Sequence, residues 1–240
     1  MLVNWSGFRC KDVDEQALND WWTNEHIPER LSVPGFLRTR RYYTADPDND
    51  MSQYMVCYEV ESLDTLTSPA YMSALNSPTA GTTKFLQARV TMNRYACRVL
   101  HSAVRGDFAG QKNGLGGTIA HIAFTPPEQK ESIGNSILNP EVIFGNAATF
   151  AVHLLELDTA ATQTGSWSKS YDGVPLQDRA RTESMNATSR WIILVEFTEP
   201  LHAPFAQGPV VTKEIVQKLQ DEGAQDIASR IYGMVCVMAA

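Results

Sequence analysis

The chain has 240 residues, a formal net charge of -7 and no apolar run close to the ~20 residues that span a bilayer. The acidic balance argues against nucleic acid and anionic membrane surfaces as partners. The first residues lack a basic segment followed by an apolar one, so we expect no signal peptide and a cytoplasmic protein. Four distant cysteines without CxxC spacing predict free thiols rather than a zinc site or a redox motif.

The first hundred residues predict the element order β-α-β-β-α-β. A strand over 2–8 is followed by a helix, in which Asp12 and Glu15 have the spacing of a capping box. Pro28 should kink or end this helix close to His26, because proline has no backbone N–H to donate. The elements expected next are strands over 36–44 and 53–61, helical pieces from Ser68 to Gln87, and a strand within 88–100.

The second half repeats this order after a glycine-rich linker over 105–117. The expected elements are a strand over 118–124, a helix from Pro126 to about Leu138, strands over 147–157 and 190–197, a helix over 212–229 and a strand over 231–238. Residues 159–189 show no clear periodicity. Such a long loop is either a lid over a binding site or a disordered insertion.

Two successive β-α-β-β-α-β units predict an α+β fold made of tandem ferredoxin-like units, the first over 1–104 and the second over 118–240. In each unit the two helices cover one face of the sheet, while the other face carries apolar and aromatic residues that also need cover. We therefore expect the two sheets to pack face to face as a pseudo-dimeric α+β barrel within one chain. Homodimer formation stays open.

A titratable pair, Glu25-His26, follows two tryptophans near the end of the first predicted helix. Leu18, Trp22 and His26 are spaced by four and so share one helix face. Histidine is the side chain whose unperturbed pKa lies in the physiological range, and desolvation by Trp22 would leave His26 a neutral base near pH 7. The competing interpretation is that His26 only caps the helix end.

Other candidate site residues are distributed along the chain. Arg41 and Tyr43 share one face of the second predicted strand and could donate hydrogen bonds to a developing enolate or carboxylate oxygen. The residues expected to contact substrate are Trp5, Trp22, Tyr58, His121, His153 and Trp167. For each of these taken singly, a structural role is the competing interpretation. No HxH, HxxxH or Cys-His spacing is present, so we predict no metal site.

Several of these motifs together resemble the dimeric α+β barrel superfamily, and within it the EthD-like group, named after ethyl tert-butyl ether degradation. The motifs are the His26 segment, Val33-Pro34-Gly35-Phe36, Arg40-Arg41-Tyr42, Tyr58-Glu59-Val60-Glu61-Ser62 and Ser68-Pro69-Ala70-Tyr71. That group typically has an aromatic residue, a short gap, His-x-Pro and a Pro-Gly turn, matched here by Trp22, His26, Pro28, Pro34 and Gly35. The resemblance covers residues 1 to about 100, and the second half has no counterpart of His26.

The resemblance implies an enzyme without an organic cofactor. Relatives in the superfamily include cofactor-free decarboxylases, cyclases, dehydratases and quinone-forming monooxygenases, and some distant members bind haem. We therefore expect a lyase or isomerase in which His26, helped by Glu25, Arg41 and Tyr43, acts on a small aromatic or polyketide-like carbonyl compound. The alternatives are a cofactor-free monooxygenase of the same fold, a non-catalytic barrel that binds a small apolar ligand, and a haem protein with His26 or His153 as axial ligand.

Overall fold

The computed structural model describes residues 1–106, 115–130, 133–134, 137–177 and 189–240. The strands in these ranges are β1 (Leu2–Arg9), β2 (Phe36–Asp46), β3 (Met51–Val60), β4 (Thr91–Val104), β5 (Thr118–Thr125), β6 (Thr149–Leu157), β7 (Trp191–Phe197) and β8 (Gln225–Ala239). The α-helices are α1 (Glu15–Trp21), α2 (Ile27–Leu31), α3 (Pro69–Asn76), α4 (Ala80–Gln87), α5 (Pro140–Ile143), α6 (Thr159–Ser166) and α7 (Gly208–Asp221). None of the described helices is long and apolar enough to cross a membrane.

The strands are hydrogen-bonded in the order β1-β3-β2-β8-β5-β7-β6-β4, which closes into a barrel. In the first half, β1 pairs antiparallel with both β3 and β4, and β2 pairs antiparallel with β3. In the second half, β5 pairs antiparallel with β7 and β8, and β6 pairs antiparallel with β7. The expected α+β class and the barrel are therefore confirmed.

The chain divides into two compact units. As far as the ranges are described, the first unit comprises Met1–Arg98, Asp158–Ala187 and Val235–Ala240, and the second comprises Val99–Leu157 and Thr188–Met234. Helix α6 follows β6 in the chain but belongs to the first unit. The first unit is thus completed by residues distant in sequence.

Helices α1 and α3 of the first unit begin where short polar side chains bind free backbone N–H groups. The Asp14 carboxylate accepts a hydrogen bond from the Ala17 N–H, so the cap is Asp14 rather than the expected Asp12, which lies in a 3-10 turn. Ser68 caps α3 in the same way through the Tyr71 N–H, with proline at the first helical position as expected.

The helix that carries His26 widens before Pro28 and does not end there. Trp22–His26 forms a π-helical turn, in which the Ile27 N–H bonds to the carbonyl of Trp22, five residues earlier. Pro28 follows the π turn as the second residue of α2, and because it has no N–H it makes no helical hydrogen bond back to that turn. Such π turns occur often at functional sites.

The same unit has one apolar core between its helices and one face of its sheet. Leu18, Trp22 and Ile27 from the helices are buried against residues such as Tyr54 and Val56 of β3. Burial of each such side chain contributes about 1.5–3 kcal/mol to folding. The second unit has its own core, in which α7 packs its buried face on β5 and β7.

Three predictions for the second half are corrected. Residues 126–130 are not helical, and the helix predicted over 212–229 ends at Asp221 because Gly223, with φ +84°, reverses the chain before β8 begins. The predicted loop over 159–189 contains α6, which the Asp158 carboxylate caps through the Ala161 N–H, and a 3-10 turn at Lys169–Tyr171. Its residues 178–188, and residues 107–114 of the predicted linker, lie outside the described part of the chain.

Candidate functional site

The first unit contains a small, partly open cavity between its helices and its sheet. The lining residues are Leu2, Asn4, His26, Arg30, Tyr58, Tyr71, Leu75, Leu86, Ser170 and Tyr171. The space between the lining atoms is about 260 Å³, but the room inside is for roughly one water molecule. The lining combines one histidine, one arginine and three tyrosines with apolar walls.

His26 lies at the end of the π turn, beneath the ring of Trp21. The two ring centroids are 4.8 Å apart, and the ring planes are tilted by 34°. Because hydrogen bonds in a π turn span five residues rather than four, Trp21 covers the imidazole, and not Trp22 as the α-helical spacing predicted. Burial holds the pKa of His26 well below 6.5, and the charges of Arg30 and Arg89 lower that pKa further. His26 is therefore neutral at pH 7.

One nitrogen of His26 faces polar partners. Nδ1 lies 3.4 Å from the Thr82 hydroxyl and 3.8 Å from Oε2 of Glu29. A carboxylate can only accept a hydrogen bond, so these neighbours favour the proton on Nδ1 and leave the lone pair on Nε2. Glu25, in contrast, is exposed and accepts a hydrogen bond from Thr79. The acid that faces His26 is thus Glu29.

Arg30 follows His26 by one helical turn and is only 2% exposed. Its Nη2 lies 2.9 Å from Oε1 of Glu29, and its guanidinium carbon is 5.9 Å from the ring centroid of Tyr71. The geometry of the Glu29 contact is not that of a hydrogen bond, and Nε, Nη1 and Nη2 have no hydrogen-bond acceptor within the described residues. The cationic Arg30, with N–H donors that have no acceptor in the described part of the chain, therefore lines the cavity beside His26.

Two more arginines lie buried behind the lining. Arg89 donates hydrogen bonds to the Phe85 carbonyl and the Ser6 hydroxyl, and burial lowers its pKa to about 10. Its guanidinium stacks on Trp22, 5.2 Å from the ring centroid. Arg89 stays charged at neutral pH, and these two hydrogen-bond partners are neutral groups.

Arg94 of β4 supports two of the lining tyrosines. Its Nη2 donates to the Tyr71 hydroxyl at 3.3 Å, and the guanidinium also hydrogen-bonds Tyr171 and stacks on that ring. Nη1 donates to the Thr162 carbonyl of α6 at 3.1 Å. Arg94 passes directly over Gly165, where a Cβ atom would lie 2.1 Å from Nη2. Burial raises the pKa of Tyr171, which is a neutral phenol.

Of the predicted catalytic helpers, Arg41 and Tyr43 lie on the helix-facing side of β2 but do not line the cavity. Arg41 donates to the Thr23 hydroxyl at 3.1 Å and stacks on Trp22, with its guanidinium carbon 5.3 Å from the ring centroid. Tyr43 packs on Tyr54, with ring centroids 5.1 Å apart. Both side chains therefore contact residues outside the cavity, Trp22 in the case of Arg41 and Tyr54 in the case of Tyr43.

The predicted substrate contacts in the first unit are scattered. Tyr58 lines the cavity, and burial raises its pKa. Trp22 is buried beneath the cavity wall, and Trp5 packs edge-on against Tyr95 at 4.8 Å. Trp167 is 64% exposed. Of this group, the structure brings only Tyr58 into the described cavity with His26.

His121 and His153 belong to the second unit. Burial, followed by the charge of Arg190, lowers the pKa of His121 to about 3. His153 has both nitrogens engaged, Nδ1 with the Ser102 hydroxyl at 2.8 Å and Nε2 with Oε1 of Glu196 at 3.2 Å. Neither residue lines the His26 cavity.

As it stands, the cavity has no room for a haem or for any ligand larger than about one water, so either would need the wall to move. Both nitrogens of His153 are already hydrogen-bonded, so neither is free for an axial bond. Within the described residues, no group of three or more His, Cys, Asp or Glu side chains is placed to hold a metal ion.

Sequence reasoning missed most of the residues that surround the cavity. Arg30 had a usable signal, because it follows His26 by four and so shares its helix face. Arg89 and Arg94 had none, and Tyr71 stood only in a motif of the family resemblance, since the approach of these residues to His26 depends on how separate segments pack.

No protein-family profile and no curated protein sequence matches the chain. Among solved structures, an anthrone oxidase-like protein aligns over 100% of this chain and 93% of its own, with 13% identity and a TM-score of 0.58. A Fusobacterium nucleatum protein described as a candidate monooxygenase aligns over 99% of this chain and 94% of its own, with 10% identity and a TM-score of 0.53. At such identities the likeness concerns the fold alone, and that fold is the dimeric α+β barrel.

Proposed function

We propose that this chain is an enzyme of the EthD-like group, built from two tandem ferredoxin-like units, and that its first unit removes a proton from a small aromatic or polyketide-like carbonyl compound. The observation that carries the proposal is a neutral His26, with its side chain 13% exposed, beside the buried and cationic Arg30 in one cavity. A neutral imidazole accepts a proton, and a neighbouring guanidinium stabilises the anion that results.

The reaction starts with transfer of a proton from the carbon next to the substrate carbonyl to Nε2 of His26. The C–H bond breaks, an N–H bond forms, and the electron pair moves to the carbonyl oxygen as an enolate. Arg30 donates hydrogen bonds to this oxygen, while the charge of the Glu29 carboxylate, 3.8 Å from Nδ1, stabilises the imidazolium. Return of the proton to another carbon gives an isomer, and loss of a leaving group from the enolate gives a lyase product.

Substrate entry requires part of the cavity wall to move, because the present space holds roughly one water. The 3-10 turn Lys169–Tyr171 supplies two lining residues. Two hydrogen bonds tie it to α3, from the Lys169 N–H to the Asn76 side chain and from the Ser170 hydroxyl to the Leu75 carbonyl. We propose that this turn, within the segment expected to be a lid, opens for the substrate.

A second candidate function is a cofactor-free monooxygenase, in which the same enolate reacts with molecular oxygen. The observation that favours it is the likeness of fold to the anthrone oxidase-like protein and the candidate monooxygenase. Both functions share the proton transfer at His26 and differ only in what consumes the enolate. Oxygen uptake therefore separates them.

The test is carbon–hydrogen exchange in D₂O, followed by NMR, over a panel of aryl ketones and 1,3-dicarbonyl compounds. We expect the protein to accelerate exchange and His26→Gln to lose about 10²–10⁴ of that acceleration. His202→Gln is the matched control, because His202 is exposed and lies outside the cavity. Exchange by His26→Gln at the wild-type rate, with its fold intact by circular dichroism, would refute the proposal.

A further inference from the structure

We propose that the His26 cavity is an anion site that takes the carboxylate of an organic acid, so that the substrate is negatively charged before it reacts. This inference deepens the proposed function and rests on it for the identity of the site. It is carried by the donors that line the cavity and by the buried charge around it.

The polar atoms presented by Arg30, Tyr71 and Tyr171 are donors. The free N–H groups of Arg30 have no acceptor within the described residues. The hydroxyl oxygens of Tyr71 and Tyr171 accept hydrogen bonds from Arg94, so each phenolic proton is left to donate elsewhere. Three donor groups on one cavity, with no carboxylate among its lining residues, match the two oxygens of a carboxylate.

The buried charge around the cavity is positive. Arg30, Arg89 and Arg94 are each at most 5% exposed. Glu29 pairs with Arg30, whereas Arg89 and Arg94 donate hydrogen bonds to carbonyls and hydroxyls. A buried charge without a counter-ion is costly, so an anion bound here lowers that cost. Because His26 is neutral, it adds no positive charge to the three arginines, and it remains able to accept a proton.

A neutral substrate gains much less from such a site. An amide of the same shape brings no charge and offers one acceptor oxygen instead of two, and only its N–H groups can use the acceptors of the lining, Oδ1 of Asn4 and Nε2 of His26. The cavity is therefore expected to select a carboxylate over the corresponding carboxamide. A carboxylate on the substrate also places the acidic C–H beside His26, because Arg30 follows His26 by one helical turn.

The experiment compares matched pairs of ligands, benzoate with benzamide and acetate with acetamide, by calorimetry and by tryptophan fluorescence, to which Trp21 and Trp22 beside the cavity contribute. We expect each carboxylate to bind at least about tenfold more tightly than its amide. Arg30→Met should weaken benzoate binding by about 10–100-fold, and Arg30→Lys by less. Arg9→Met is the matched control, because Arg9 is exposed at the end of β1.

Equal binding of benzoate and benzamide, or no binding of either carboxylate, would overturn the proposal, as would full benzoate affinity in Arg30→Met. Competition by chloride or sulfate at the affinity of benzoate would show a site for inorganic anions and would also overturn it. If Arg30→Met does not fold, Tyr71→Phe decides, since loss of one donor should still weaken benzoate several-fold. His26→Gln should keep benzoate affinity while losing exchange, so failure of the base proposal and failure of the anion site give different results.

Discussion

Replacement of Gly165 by alanine tests whether α6 holds the arginine that supports the cavity. A Cβ atom at this position would lie 2.1 Å from Nη2 and 2.3 Å from Cζ of Arg94. Ordinary contact begins at 3.4 Å, so the guanidinium has to retreat by about 1.3 Å. Retreat breaks the hydrogen bonds of Arg94 to the Thr162 carbonyl and the Tyr71 hydroxyl.

The expected cost follows from these contacts. Overpacking costs about 1–3 kcal/mol, and each lost hydrogen bond of a charged group costs about 1.5–3 kcal/mol. Alanine recovers about 1 kcal/mol as the better helix former. When the guanidinium retreats the overpacking strain relaxes, so the two lost hydrogen bonds, less the gain in helix propensity, should lower the free energy of unfolding of Gly165→Ala by about 2–5 kcal/mol.

Urea unfolding, followed by tryptophan fluorescence, measures this loss. Gly117→Ala is the control, because a Cβ atom there meets nothing within 4 Å. In the Arg94→Met background the clash is gone, and the Gly165→Ala penalty should shrink by at least about 1.5 kcal/mol. A Gly165→Ala protein as stable as the wild type, or a penalty unchanged by Arg94→Met, would refute the reasoning.

Three further predictions concern burial. In the unfolded chain His121 takes up a proton below about pH 6.5, whereas in the folded state it does so only near pH 3. The free energy of unfolding should therefore fall by about 3 kcal/mol as the pH is lowered from 6.5 to 4. Urea unfolding should show a shallower fall for His121→Gln. Gly81→Ala places a Cβ atom 2.4 Å from the ring of Trp21, so near-UV circular dichroism should change, and an unchanged spectrum would contradict the packing. All four cysteines should react with a thiol reagent after unfolding, and fewer than four reactive thiols would contradict the prediction that all are free. In the native protein the exposed Cys10 should react first, and Cys97, whose pKa burial raises to about 12, should not react.

The sequence by itself determined the order of elements in the first unit, because local chemistry carries that information. The strand alternation, the Ser68-Pro69 helix start and the turn at Gly35, with φ +90°, depend on neighbours a few residues apart. The position of His26 at a helical turn near the sheet followed in the same way. Local signals were weaker in the second half, where the helix predicted over 212–229 gave way to β8 after Gly223.

Tertiary structure alone decided which residues surround His26. The π turn changed the helical phase, so Trp21 rather than Trp22 covers the imidazole, and no periodicity rule based on 3.6 residues per turn predicts that change. Arg94 and Tyr171 are 77 residues apart in the numbering and meet only because α6 and the following turn pack into the first unit. A buried cation needs partners on every side, and those partners come from several segments whose contacts exist only in the folded chain.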